Sequence, residues 1–495
     1  MNIRTAAELM GAQVSTLSAE LFDNEIVGFS IDSRTTGAGE LFFALSQSDY
    51  ARAGFNGTFA DAHRYLPQAF SQGAIAAVAR RESVQEDASL QAIAHKLLLV
   101  EDAIAALQTL ARKVYEAWAR PVIAITGSAG KTTAKELTAH LLNATGRRVL
   151  KSERNYNNGL GLPLAVLQMV TEGRDPDQFD LAVLEMGMSS PTHEIERLCK
   201  ITPPDIGVEL LVAPVHLEHL GTIENIAAAK AELIEGLKPG GTAVLNADDE
   251  RVIAMRAIHD GPIVTFGVEN TADVMATNID TSRFGRSRFQ LRTPHGETTA
   301  ELRMPGHHNL MNALAAAAVA TCFEIKPEEI ASALKSVTPA KMRGEVIDFA
   351  AGFTIVDDSY NSNPRSLLSI ARTIAESSGA HVKRRIIIAG EMLELGPEGA
   401  RMHREAGAEM AQAGIDLLWG VRGLASEMVE GARAAGMSYG AARFFESSEQ
   451  AAAAICEEAR EGDLMLIKGS RGVETDKVVK MLRDRFPALG GDEEV

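Results

Sequence analysis

The chain has 495 residues, 46% of them hydrophobic and 23% charged, with a formal net charge of −17 at pH 7. At about 150 residues per domain this length suggests roughly three domains. The acidic balance argues against a general nucleic-acid binder, which presents a basic face, and no apolar run reaches the ~20 residues of a membrane span.

The first residues, MNIRTAAELMGAQ, lack the apolar core of a secretory signal, so a cytoplasmic protein is expected. Residues 1–118 form a first block. It holds the strand-like runs EIVGFSIDSR and LFFALS, an alanine-rich helical pattern, then AIAAVA and KLLLVED. The helix-like AIAALQTLARKVYEAWA leads into a second block, residues 119–340. That block opens on PVIAIT, which reads as a buried parallel strand because it lacks polar alternation. A glycine turn follows, then the helical KTTAKELTAHLLNATG with Gly146 as its C-terminal stop. DLAVLEMG and GTAVLNAD are further strands, TIENIAAAKAELIEGL and NLMNALAAAAVATCF further helices. The third block, residues 341–495, repeats the alternation through FTIVDDS, RRIIIAGEM, IDLLWGV and DLMLIKGS. Alternating strands and helices imply α/β domains with parallel sheets. Cys199, Cys322 and Cys456 are far apart and form no C-x-x-C pair, so neither a disulfide framework nor a zinc site is expected.

The chemistry starts at TGSAGKTT. The usual phosphate loop reads G-x-x-x-x-G-K-[ST], and here Ile125 occupies the place of the first glycine. The strand–turn–helix context is nonetheless right for phosphate binding. Gly127 and Gly130 allow close backbone approach, and the N–H groups at a helix start attract anions. Lys131 can neutralise phosphate charge and Thr132 can coordinate Mg²⁺; the alternative is a strand–helix turn with a stray lysine. Glu185 ends the apolar run LAVL, at the sheet edge where ligands of open α/β sheets collect. It reads equally as a metal ligand or as a solvated turn residue. His216 and Lys230, taken alone, read as a structural histidine and a solvated helix lysine. The residues by themselves therefore reach a Mg-nucleotide enzyme or switch and stop there.

Several segments in one order go further: TGSAGKTT, NYNNGLGLP, LEMGMSSPTHEI, PVHLEHLGTIENIAAAKAEL, PGHHNLMNALAA, DDSYNSNP, GEMLELG and IKGSRG. With them the whole chain resembles the Mur ligases of peptidoglycan synthesis, whose loop is spelled T-G-x-x-G-K-T, so that Ile125 is ordinary strand. The resemblance implies three domains: an N-terminal α/β domain for the UDP substrate, a central P-loop ATPase-type parallel sheet, and a C-terminal Rossmann-like α/β domain. DDSYNSNP and GEMLELG point to the member of the family that joins D-alanyl-D-alanine to UDP-N-acetylmuramoyl-tripeptide. That reaction is driven by ATP through an acyl phosphate, with a monomer expected and no nucleic-acid or membrane partner.

Carried over residue by residue, Thr126, Gly127, Ser128, Ala129, Gly130, Lys131, Thr132 and Thr133 hold the ATP phosphates, with Thr132 on Mg²⁺. Glu185 and His216 resemble further ligands of two Mg²⁺ ions. Lys230 matches a lysine that takes up CO₂ as a carbamate, which reverses its charge and lets it hold the second Mg²⁺. Lys131, Lys230, His216 and Glu185 are thus the expected catalytic set. Asn309 is expected at adenine, Arg343 at nucleotide phosphate on domain closure, and Asp358 beside the nucleotide. Tyr360 and Asn361 are expected at the incoming dipeptide, Asn157 and Asn158 at the sugar peptide, and Ser33 and Arg34 at the uridine end.

The chain departs from the family after LFFAL, where relatives carry G-E-x-x-D-G-H. Asp61 and His63 are the expected stand-ins, following an insertion around Tyr50 to Phe59 near the UDP or third-residue pocket. Two rival readings remain. One is another ligase of this fold, either a different Mur step or a folylpolyglutamate synthase-like enzyme. The other is a nucleotide switch or scaffold, weakened by the lack of an N-K-x-D guanine signature.

Overall fold

The computed structural model describes the chain except residues 56, 153–155, 189–192, 215–219, 282–284, 338–340, 378–381 and 490–495. Among the described residues the strands form three sheets. The first is wholly parallel: β1 (Gly28–Ser30), β2 (Glu40–Phe43), β3 (Ala76–Arg80) and β4 (Leu97–Val100), in that spatial order. All five residues of β3 are buried, which is why AAVAR shows no polar alternation.

The chain then enters the helix Ala103–Trp118, started by the Asp102 carboxylate accepting from the Ala105 N–H. Its buried face, Leu107, Leu110, Ala111 and Val114, belongs to one apolar core that also contains Leu41 and Val78 of the first sheet and Val122 and Leu184 of the next. The first and central domains are therefore fused through a shared interior.

The central sheet contains β5 (Val122–Thr126), β6 (Val149–Lys151), β7 (Leu181–Glu185), β8 (Ile206–Glu209), β9 (Thr242–Asn246) and β10 (Ile263–Gly267). It continues through β11 (Val274–Asp280), β12 (Ser287–Thr293) and β13 (Gly296–Leu302). Its spatial order is β13-β12-β11-β10-β9-β8-β5-β7-β6. β5 lies between β7 and β8, so successive connections leave it in opposite directions. Ligands of doubly wound sheets bind outside the carboxyl ends of the strands at such a reversal. β11 to β13 pair antiparallel, an extension that the βα alternation does not announce. β12 shows the reason: its burial alternates residue by residue, the mark of a strand with one wet face.

The third sheet holds β14 (Glu345–Asp348), β15 (Thr354–Asp358), β16 (Arg384–Gly390), β17 (Leu417–Val421), β18 (Ala442–Phe445) and β19 (Asp463–Lys468). They run in the order β14-β15-β19-β16-β17-β18, parallel except for the β14–β15 pair, with a separate apolar core on each face. β19 slots between β15 and β16, which makes a second reversal, and its end faces the central sheet across a cleft. No described helix is long and apolar enough to cross a membrane.

Candidate active site

Beyond Thr126 the chain turns through Gly127 (φ 152°) and Gly130 (φ 86°) into the helix Lys131–Ala144. A Cβ on Gly130 would lie 2.3 Å from Asn312 Oδ1, so only glycine fits that left-handed step. Ser128 pins the loop to the chain after β8. Its N–H donates to the Leu211 carbonyl at 2.9 Å, and its hydroxyl donates to the Ala213 carbonyl at 3.0 Å while accepting the Ala213 N–H at 2.9 Å. The helix has no side-chain N-cap, which leaves its first N–H groups for an anion. Lys131 Nζ reaches back to the Gly127 carbonyl at 2.9 Å. Desolvation in the cleft pulls this ammonium below the usual lysine range; Glu185 opposes the shift and Arg343 adds to it.

Glu185 ends β7, 3% exposed, beside the helix start. Its Oε2 accepts from Thr132 Oγ1 at 2.8 Å and its Oε1 from Asn157 Nδ2 at 2.8 Å, while its N–H donates to Ser152 Oγ at 3.0 Å. The Glu185 carboxylate and the Thr132 hydroxyl, meeting below a phosphate loop, are hard oxygen donors of the kind Mg²⁺ takes, and the Asn157 amide N–H steadies the carboxylate. Lys230, on the helix Ile223–Glu235, is 2% exposed. Burial pulls its ammonium down to about 7, with Glu209 opposing and Lys131 assisting. Lys230 is therefore no solvated charge, and near neutral pH much of it is free amine.

Opposite the loop stands the third sheet. Lys468, at the end of β19, donates to Asp358 Oδ2 at 2.5 Å and to the Asn361 carbonyl at 2.9 Å. The Arg343 guanidinium lies 3.9 Å from the centre of the Tyr360 ring, an attraction of a cation for the ring face. Asn309, 2% exposed, donates to the Pro305 carbonyl at 2.8 Å. His308 meets Ser369 at 3.4 Å, and burial pushes its imidazole down to about 4, so it is neutral at pH 7. Between the two domains lies one cavity of about 510 Å³.

That cavity gathers most of the residues singled out in the sequence. Ser128, Ala129, Gly130, Lys131, Thr132, Thr133, Asn157, Asn158, Glu185, Asn309, Arg343, Asp358, Tyr360 and Asn361 all line it. Thr126 does not: it is fully buried, with its hydroxyl behind the loop. Gly127 contributes through the carbonyl that Lys131 binds. Ser33 and Arg34 lie in the first domain, where Ser33 bonds Gln68 at 3.1 Å and Arg34 pairs with Asp32 at 2.7 Å. His216 lies outside the described residues. His63 is buried in the first domain, where its Nε2 accepts the Arg80 N–H at 2.9 Å, while the exposed Asp61 accepts the His63 N–H. In the insertion, Tyr50 stacks on Phe59 with centroids 3.9 Å apart.

The cavity also recruits Asn312, Arg365, Glu394 and Lys468, which the sequence reading passed over. Asn312 stands three residues beyond Asn309 on one helix face, and Lys468 ends a strand inside the quoted IKGSRG; both signals were available.

The chain matches the Mur ligase middle domain over residues 125–320 and the Mur ligase, glutamate ligase domain over residues 342–471. It is 32% identical to a UDP-N-acetylmuramoyl-tripeptide–D-alanyl-D-alanine ligase of Bacillus subtilis, covering 97% of this chain and 98% of that protein. A protein of the same description from Escherichia coli is 31% identical, with 96% of each chain covered. Among solved structures, MurF ligase from Thermotoga maritima in complex with ADP superposes with a TM-score of 0.77 at 26% identity, covering 93% of this chain and 98% of that one.

Proposed function

The chain belongs to the Mur ligase family, and we propose that it joins the amine of D-alanyl-D-alanine to the terminal carboxylate of UDP-N-acetylmuramoyl-tripeptide, driven by ATP. The observation that carries this reading is the cavity running from the TGSAGKTT loop to DDSYNSNP, in a chain similar end to end to ligases of that description. We assign UDP-substrate binding to residues 1–118, with Ser33 and Arg34 at the uridine end. ATP binding falls to 119–340 and closure over the site to 341–495. The enzyme works as a cytoplasmic monomer.

In the first step the tripeptide carboxylate attacks the γ-phosphorus, forming an acyl phosphate and releasing ADP. Two anions must meet, so the protein has to supply positive potential where charge develops. The helix N-terminus and Lys131 do this from one side and Arg343 from the other. Thr132 and Glu185, with His216 and the Lys230 carbamate as the further ligands the family likeness implies, would hold two Mg²⁺ ions, which when bound neutralise phosphate charge and polarise the P–O bonds. Lys230 as free amine adds CO₂, forming an N–C bond and releasing one proton, and so becomes an anion at the place where its protonated form is a cation. In the second step the dipeptide amine attacks the acyl carbon, loses a proton, and phosphate leaves. Acyl phosphates hydrolyse, and the third sheet covering the loop excludes water. Asn157 and Asn158 orient the acceptor peptide; Tyr360 and Asn361 the dipeptide.

The test is ADP release across a small panel of UDP-tripeptides, lysine or diaminopimelate at the third residue, each with D-Ala-D-Ala, D-Glu or free diaminopimelate. ADP should appear only with a UDP-tripeptide and D-Ala-D-Ala together. Turnover with another amine alone would sink the assignment.

A further inference from the structure

Glu209 closes β8 beneath the phosphate loop and is 0% exposed, yet among the described residues neither carboxyl oxygen has a hydrogen-bond partner. A buried polar group left unpaired carries its full desolvation penalty, so an orphaned pair of carboxyl oxygens calls for an explanation. Its direction follows from strand alternation. Val208 and Leu210 belong to the core under the loop helix, so Glu209 points to the opposite face. On that face Gly207 packs against Leu233 of the helix Ile223–Glu235, with an added Cβ 3.4 Å from Leu233 Cγ. Two residues along the strand and one turn back along the helix, Glu209 and Lys230 come to the same level of that face, where the lysine acts on the carboxyl by charge with no hydrogen bond joining them. On β5, Thr126 is the register partner of Glu209, and its buried hydroxyl also has no partner among the described residues.

Three oxygens without partners among the described residues thus share one face of the sheet with one buried lysine. The charged groups bearing on Glu209 are Lys230, Lys131 and Asp249. Burial raises its carboxyl to about 8, Asp249 pushes the same way and both lysines oppose.

We propose that Glu209, with the Thr126 hydroxyl beside it, is a positioning residue that holds the head of Lys230 toward the phosphate loop. The carboxyl group draws the lysine head by charge, and the Thr126 hydroxyl beside it offers a donor to a carbamate oxygen. The inference rests on Lys230 acting in the reaction.

The test compares Glu209→Met, close in volume but unable to hydrogen-bond strongly, with Glu209→Gln, which keeps a donor and an acceptor, and with Lys230→Ala. Glu209→Met should lower kcat by about 10–100-fold, the usual loss for a partner that orients a ligand group, with the KM for ATP near native. Its Tm should hold or rise, because a buried unpaired acid has gone. Glu209→Gln should keep most of the activity. In ¹³C-bicarbonate, the carbamate NMR signal should be present in native protein and Glu209→Gln, weak in Glu209→Met and absent in Lys230→Ala. Native kcat and a native signal in Glu209→Met, with Lys230→Ala inactive, would overturn this proposal alone. Native activity in Lys230→Ala would overturn the lysine's role and this proposal with it. A Tm loss in both Glu209 variants with the carbamate signal intact would make the residue structural and overturn it too.

Discussion

At the scale of single residues, two acids tell opposite stories about what a sequence discloses. Glu185 and Glu209 both end short apolar strands of one sheet. Glu185 was singled out because a metal beside a phosphate loop needs a carboxylate, whereas nothing near Glu209 in the chain named its partner, which lies on a helix crossing the other face. Lys131 was legible for the same reason as Glu185: the loop motif states its role. Its hydrogen bond in this structure goes to the carbonyl of Gly127, inside the loop itself. Burial already disfavours its ammonium. Lys131→Ala should therefore leave Tm within about 1 °C or raise it slightly, since it removes a desolvated charge. It should cost at least about 10²–10³ in kcat, the scale of losing one donor aimed at developing charge. Circular dichroism with single-turnover phosphoryl transfer would check both halves, and normal turnover would remove the loop from the mechanism.

At the scale of elements, what could be read was what local chemistry dictates. VIAIT, LAVLE and TAVLN appear as strands because burial on both faces leaves them uninterrupted apolar runs. The helix Lys131–Ala144 stops where expected, with Gly146 at φ 84°. β11 to β13 stayed hidden because each has only one buried face and pairs antiparallel, so no helix separates them in the chain. The turn between β5 and the loop helix depends on both kinds of information. Its glycines are visible in the sequence; what they avoid, Asn312 on the helix His307–Thr321, is not. Gly130→Ala should strain a left-handed residue by about 1–2 kcal/mol and push Asn312 out of place. Binding of ATP, read by titration calorimetry, should weaken by at least about tenfold, the equivalent of 1.4 kcal/mol. Gly146→Ala is the matched control: it has the same sign of φ but nothing within 4 Å of an added Cβ. It should lose stability and keep nucleotide affinity. Equal affinity in both variants would show that the Asn312 contact does not shape the site.

At the scale of the whole molecule, the question is what holds the third domain over the cleft. The first two domains share one apolar interior and should move as a unit. The third has its own two cores and meets the central domain through polar contacts around the cavity. One of these is Arg365 to Asp249 at 3.6 Å, with the arginine side chain 56% exposed. Asp249 is only 5% exposed but already accepts the Val212, Arg251 and Val252 N–H groups, so at this distance and with the arginine in solvent the pair contributes about 1 kcal/mol, too little to fix a domain. A nucleotide lying between the loop and Arg343 would touch both sides at once, and charge-assisted contacts of that kind outweigh such a pair. Closure should therefore follow nucleotide rather than the ion pair. Small-angle X-ray scattering should show the radius of gyration falling when a non-hydrolysable ATP analogue and Mg²⁺ are added. Arg365→Glu, which sets like charges against each other, should keep that fall and weaken the analogue's affinity no more than about fivefold, the equivalent of 1 kcal/mol. Arg343→Ala should lose most of the compaction, because it removes the third domain's grip on the phosphates while leaving Lys131 and the loop intact. Compaction lost in Arg365→Glu and retained in Arg343→Ala would reverse the ranking and make the ion pair, not the ligand, the clasp of the molecule.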